Sequence, residues 1–347
     1  MNAARPAAAR RAWLSLLVVV AVGVALYVGL PQIAGLDETW GRLSDGDPLW
    51  LLAALGLEAC SYGGYVVLFR GVFARDGGTP LGWRDSYDIT MAGVAATRLF
   101  AAAGLGGIAL TGWALSRAGM PRRELARGLT TFYVALYGVF MLSLVVFGLG
   151  LRTGIFPGPA PFGVTVVPAA FGGAVIVVAL AIALLPNDLE RRARARMPGR
   201  ERAARWARTL AATGEALSGG VRGALRMLFR GDPALLGALA WWAFDIAVLW
   251  ACFHAFGEPP PVAVVVMSYF TGMLANVLPL PGGVGGVEGG MIAALLAFGV
   301  PGGLAVVAVL TYRAFAFWLP TIPGALAYLR LRHSVRDWAG APRAEAP

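Results

Sequence analysis

Long apolar runs separated by short polar segments dominate this chain. They cover positions 12–30, 48–69, 128–151, 162–185, 234–256 and 303–329, and each is long enough for a helix to cross a hydrocarbon layer about 30 Å thick. The regions 88–116 and 262–299 differ, being apolar but interrupted. The second contains NVLPLPGGVGGVEGGMIAALLAFGVP from Asn276 to Pro301, and the first contains TRLFAAAGLGGIALTGWALSRAGMP from Thr97 to Pro121. Glycine and proline at membrane depth force non-helical backbone, which persists only where protein or a watery cavity surrounds it. The pattern predicts an all-α, polytopic membrane helix bundle with two re-entrant helical hairpins.

Charge sets the threading. Arg5, Arg10 and Arg11 precede the first run, which is longer than a signal-peptide core and lacks a small-residue cleavage site, so an uncleaved first span is expected. With those arginines cytoplasmic, the acidic loop holding Asp37, Glu38, Asp45 and Asp47 is external. Arg70, Arg75 and Arg84 lie before the first interrupted region and Arg117, Arg122, Arg123 and Arg127 after it, so both its flanks are cytoplasmic. Its arms of about 15 residues reach only about 23 Å at 1.5 Å per residue, short for crossings and suited to a hairpin. The second region is flanked by segments without arginine, at Glu258 to Pro261 and Gly299 to Gly303, and is expected to enter from outside. The last span returns to Arg330, Arg332 and Arg336, leaving both termini cytoplasmic in a multi-pass cell-membrane protein.

Parity therefore makes the two hairpins an inverted repeat within one integral domain, 1–347. A first half, 48–151 with hairpin 88–116, is matched by a second, 234–329 with hairpin 262–299. Gly104, Gly106 and Gly107 align with Gly283, Gly285 and Gly286, and Thr131–Phe132 with Thr311–Tyr312. Between the halves lies a basic cytoplasmic linker, 187–231. In it Trp206, Leu210, Leu217, Val221, Leu225 and Leu228 recur near helical spacing, predicting an amphipathic helix despite Gly214, Gly219, Gly220 and Gly223. Such a helix collects anionic lipid, or serves only to join the halves and fix topology.

Composition narrows the function. At 58% hydrophobic and 14% charged residues, the chain cannot hide its apolar surface within a water-soluble globule. Its formal charge of +10 resides in arginines flanking spans, which argues for topology rather than nucleic acid as the partner. Two cysteines, Cys60 and Cys252, and two histidines, His254 and His333, give no disulfide framework, metal set or triad spacing, so no cofactor or metal is expected.

Five charges fall at membrane depth: Glu58, Arg98, Asp245, Glu288 and Arg313. Such groups are costly in lipid, and pair with one another or face a polar path. Glu288 lies one turn beyond the glycine break and Arg313 inside the last span, positions that permit a pair; Arg313 alternatively holds a lipid phosphate. Arg98 offers positive charge from the other half, or snorkels to the interface. Glu58 and Asp245 each precede a hairpin, an arrangement compatible with ion coupling or with neutral buried carboxyls. The outgoing arm of a hairpin also presents free backbone N–H groups and a positive dipole end to an anion. Pro279 and Pro281 stop the incoming arm, and Gly282, Gly283, Gly285 and Gly286 either admit a ligand or permit close packing.

The run PGGVGGVEGG from Pro281, GVP at 299–301 and TYRAFAFWLP at 311–320 resemble the lysylphosphatidylglycerol synthase transmembrane region, a flippase-like family. The resemblance spans about 50–330. It implies movement of aminoacylated phospholipid between leaflets, with amino acid attachment left to a separate soluble domain for which the short tail after the last span leaves no room. It also implies that Pro281, Gly282, Gly283, Gly285, Glu288 and Arg313 line the cavity. FAAAG at 100–104 lacks the proline expected before the first glycine break, which counts against a symmetrical site.

The expectation is therefore a non-enzymatic, flippase-like transporter of an anionic-headgroup lipid, most simply a phospholipid. Arg98, Gly104, Gly106, Gly107, Pro281, Gly282, Gly283, Gly285, Gly286, Glu288, Tyr312 and Arg313 are its binding residues. Glu58 and Asp245 are its coupling residues. The alternatives are a non-catalytic membrane partner of a cytosolic or membrane-bound lipid-modifying synthase, and an enzyme acting on lipid headgroups.

Overall fold

The computed structural model describes residues 46–74, 81–99, 105–185, 201–277 and 284–340. Among these the chain is all-helical. In order come α1 (Pro48–Phe73), α2 (Trp83–Leu99), α3 (Leu105–Arg117), α4 (Arg122–Arg152), α5 (Phe162–Ala183), α6 (Glu201–Phe229), α7 (Leu235–Phe256), α8 (Val262–Met273), α9 (Gly286–Ala297), α10 (Gly302–Arg313) and α11 (Thr321–Gly340). A 3₁₀ turn, Leu274–Val277, follows α8, and a π-helical turn, Ala314–Trp318, joins α10 to α11. The expected first span at 12–30 lies outside the described residues.

Among the described residues, five segments are long and apolar enough to cross a membrane: Pro48–Phe73, Arg122–Arg152, Phe162–Ala183, Leu235–Phe256 and Gly302–Val335. Their outward faces suit a lipid solvent. Leu142, Val146 and Leu149 on α4 and Val177 and Leu180 on α5 are exposed, a belt too apolar for water. The chain is a membrane-embedded multi-helix protein.

Helices α1 and α7 form the centre. Asp47 caps α1 by accepting from Leu49 N, with Pro48 at the first turn. Positions along α1 meet α7 in reverse order: Asp47 N donates to Ala255 O at 3.0 Å and Ser61 Oγ to Trp241 O at 2.9 Å. Gly64 and Gly237 let the backbones touch, since a Cβ on Gly64 would lie 2.7 Å from Gly237 O and one on Gly237 2.7 Å from Leu68 N. Small residues serve this purpose in membranes, where helix association rests on close packing.

Two pairs of shorter helices pack around this centre, and each is closed by glycine. In α2–α3 a Cβ on Gly107 would sit 2.6 Å from Gly93 O. In α8–α9 a Cβ on Gly272 would sit 2.8 Å from Met291 N, and one on Gly290 3.0 Å from Gly272 Cα. Each of α3, α8 and α9 is 12 or 13 residues long, or about 18–20 Å at 1.5 Å per residue. Helix α4 is tied to α7 through the Trp242 Nε1 bond to Leu136 O at 2.7 Å.

The linker helix α6 uses its glycines differently from the sequence expectation, in which they weaken the helix. Gly220 and Gly223 lie under Thr130 and Thr131 of α4, and Thr131 Oγ1 donates to Gly220 O at 3.1 Å. At the opposite flank Asp88 on α2 accepts from Arg330 on α11, with Nη2 to Oδ1 at 2.7 Å.

Candidate functional site

The five membrane-depth charges converge at the heart of the bundle. Glu58 lies ten residues into α1 and Asp245 ten residues into α7, about 15 Å along each helix. All five side chains are buried: Glu58 4%, Arg98 9%, Asp245 6%, Glu288 3% and Arg313 4% exposed.

Glu288 and Arg313 form an ion pair, Nε to Oε1 at 2.7 Å. The other carboxylate oxygen, Oε2, accepts from Gly285 N at 2.8 Å. Gly285 is the N-cap of α9 at φ 86°, in the region that favours glycine. The glycine break thus has a local role: it bends the backbone so that the first N–H of the helix reaches the acid three residues on. That acid in turn holds the arginine.

Arg98 reaches across from α2 to the π turn. Its Nη1 donates to Phe317 O at 2.8 Å and lies 3.4 Å from Thr321 Oγ1; its Nη2 donates to Ala316 O at 2.6 Å and to the Tyr62 hydroxyl. The sequence supplies the reason for these carbonyl partners. Pro320 carries no N–H to return to Ala316, four residues earlier, so that carbonyl is available to another donor. Widening of the helix into a π turn, closed by Leu319 N to Ala314 O at 3.0 Å, accompanies this gap. The snorkelling alternative for Arg98 does not describe this geometry, because its guanidinium points inward.

Phe317 stands between the two cations. The Arg313 guanidinium lies 4.3 Å from its ring centroid and that of Arg98 5.2 Å, both within cation–π range. One aromatic face system therefore links the cation of α2 to the cation of α10.

Asp245 completes the cluster. Its Oδ2 accepts from the hydroxyls of Tyr269 and Tyr312, the latter at 3.1 Å. The α1–α7 contacts at Asp47–Ala255 and Ser61–Trp241 set Glu58 level with Asp245 across the helix pair. Glu58 Oε2 and Asp245 Oδ1 are buried and have no donor. Together α1, α2, α7, α8, α9, α10 and the π turn contribute to one polar centre inside an apolar shell.

Of the other expected site residues, Gly107 packs against α2 beside Thr97. Gly106 and Gly286 sit in the first turns of α3 and α9. Gly104, Pro281, Gly282 and Gly283 lie outside the described residues. Tyr62, Tyr269 and Phe317 were not foreseen. Tyr62 carried a signal, lying one helical turn after Glu58; Phe317 lies one turn after Arg313 and three residues before the proline. No group of three metal-ligating side chains occurs among the described residues.

The family described as Lysylphosphatidylglycerol synthase TM region matches residues 13–324. The chain belongs to that family. Among its relatives are UPF0104 membrane proteins of Methanothermobacter thermautotrophicus. One is 24% identical over 344 residues, covering 92% of this chain and 96% of the relative. Two further matches, 32% identical over 91 residues and 35% over 86, each cover 26% of the relative and 26% and 24% of this chain. The two higher identities thus come from about a quarter of each relative's length, and the full-length similarity is lower. Family membership places every residue of the polar centre, from Glu58 to Phe317, within the matched region.

Proposed function

We propose that this protein is a flippase-like transporter that moves a lipid or other amphiphile with an anionic headgroup between leaflets, without covalent chemistry. The reading is carried by the two buried guanidiniums that meet at Phe317, one from α2 and one from α10. An arginine stays charged under all physiological conditions, and holding one at membrane depth is costly unless it has partners. Here the partners are exchangeable: carbonyls in one case, a carboxylate in the other. A phosphate oxygen entering between them replaces Ala316 O and Phe317 O at Arg98, and competes with Glu288 for Arg313. Bidentate arginine–phosphate geometry suits that exchange.

In this reading α2–α3 and α8–α9 are re-entrant hairpins related by an inverted repeat, with α1 and α7 as equivalent helices at the pseudo-twofold axis. Their antiparallel contact, the short arms and a glycine closure in each pair support the assignment. The positive-inside rule places Arg70, Arg117, Arg122 and Arg330 in the cytoplasm, so the first hairpin opens inward and the second outward in a cell-membrane protein. Headgroup passage then follows the seam between hairpins, while acyl chains remain in lipid.

The family description supports a second reading, a non-catalytic membrane partner of a lipid-modifying synthase docked on the basic linker 187–231. Reconstitution separates the two. Purified protein in liposomes is expected to move fluorescent anionic lipid between leaflets in a headgroup-dependent way, and Arg313→Ala and Glu288→Gln to slow that movement at least tenfold. Equal movement by the variants would remove the paired site from the mechanism. Absence of movement for every lipid tried would favour the synthase partner.

A further inference from the structure

Charge at the polar centre does not balance. Among the described residues the buried charged ones are Glu58, Asp88, Arg98, Asp245, Glu288 and Arg313. Asp88 has its own cation in Arg330 at the flank. The centre is left with three carboxyls, Glu58, Asp245 and Glu288, against two guanidiniums, Arg98 and Arg313. Fully ionised, it would carry one uncompensated negative charge in a low-dielectric site, a state that proteins avoid by taking up a proton.

Geometry identifies where that proton resides. Both Glu288 oxygens already have donors, a guanidinium on one and a backbone N–H on the other. Asp245 accepts two tyrosine hydroxyls on one oxygen. The antiparallel α1–α7 register, fixed by Asp47 N to Ala255 O and Ser61 Oγ to Trp241 O, sets Glu58 level with Asp245, and each keeps one buried oxygen, Glu58 Oε2 and Asp245 Oδ1, without a donor. A single proton between the carboxyls supplies the missing donor and neutralises the cluster. With tyrosine hydroxyls directed at Asp245, Glu58 is the member that carries it.

We propose that Glu58 and Asp245 form a proton-binding site, holding one exchangeable proton that is coupled to the partners of Arg98 and Arg313. The groups around the pair are Tyr62 on α1, Arg98 on α2, Cys252 on α7, Tyr269 on α8 and Tyr312 on α10, with Arg313 beside Tyr312. Of these the arginines are the only fixed charges. An anion that occupies Arg98 and Arg313 removes their compensation from the carboxyls, so its binding strengthens proton binding, and by reciprocity the proton strengthens anion binding. The coupling rests on the anionic-headgroup reading, whereas the site itself follows from charge and geometry alone.

Infrared spectroscopy of the full chain in ester-free detergent at neutral pH tests the site. A protonated-carboxyl stretch that shifts in heavy water is expected in the wild type and unchanged in Glu124→Gln, whose carboxyl is exposed on α4. The band is expected to vanish in Glu58→Gln and in Asp245→Asn, because either change leaves two carboxylates against two guanidiniums. No band in the wild type, a band that survives both variants, or a band abolished by sodium at constant pH would overturn the proposal. The wild-type spectrum decides even if a variant fails to fold. A second measurement reads the coupling: short-chain phosphatidylglycerol added to the protein is expected to draw protons from a weakly buffered indicator solution in the wild type and not in Glu58→Gln. Proton uptake absent in the wild type would sink the coupling. A carboxyl band present without movement of any lipid would leave the proton site standing and refute the transport reading, which keeps the two failures distinct.

Discussion

Arg98 touches acceptors that a lysine could not span together. Its planar guanidinium joins Tyr62 on α1 to two carbonyls of the π turn, and a single ammonium lacks that fork. Arg98→Lys is expected to lose at least one such bond at about 1.5–3 kcal/mol, the range for hydrogen bonds to charged groups, measured by reversible unfolding in mixed micelles. Pro320→Ala acts on the same carbonyl from the other side. It introduces an N–H that competes with Arg98 for Ala316 O, and is expected to change the rate of lipid movement while leaving helix content intact by circular dichroism. At this scale the sequence was only partly legible. Glu288 and Arg313 could be matched because a lone acid and a lone base in apolar surroundings have few other partners. Arg98 could not, because its partners include main-chain oxygens whose availability depends on a proline 222 residues further on.

Helix contacts in this fold depend on where side chains are missing. At Gly64 and Gly237 an added Cβ would meet backbone at 2.7 Å, and neither helix can yield without parting from the other. Gly64→Ala or Gly237→Ala is expected to cost about 1–3 kcal/mol, the usual penalty for overpacking. Gly112→Ala, where the nearest atom is Leu129 Cδ1 at 3.8 Å, should be neutral or slightly stabilising through helix propensity. Thermal unfolding of the three variants side by side checks the contrast. The five candidate spans were legible because bilayer thickness imposes a minimum apolar length. The glycine contacts were not, because a glycine that admits a ligand and one that admits a neighbouring backbone look alike in sequence. For Gly107 the neighbouring chain is the answer the fold gives, and for Gly285 it is the positive φ that brings Gly285 N to Glu288.

Across the molecule, seven elements meet where the charges are. Helices α1 and α7 bring Glu58 to Asp245, while α2 and the π turn bring Arg98 to within cation–π distance of the ring that also receives Arg313. If the halves rock against each other during transport, the acid pair lies near the pivot and the cations lie in the moving seam. An imposed pH gradient across the liposome membrane is expected to bias the direction of anionic-lipid movement, and Glu58→Gln to abolish that bias.

The π turn between α10 and α11 sets how the last span addresses its neighbours. One residue of helical register corresponds to about 100° of rotation and 1.5 Å of rise. Drawing the widened turn back into regular helix would therefore rotate α11 about its own axis relative to α10. Arg330 would swing away from Asp88, and the carbonyls now offered to Arg98 would leave its reach. A single inserted residue thus acts as a detent, tying the grip on one arginine to the angular setting of an entire membrane span.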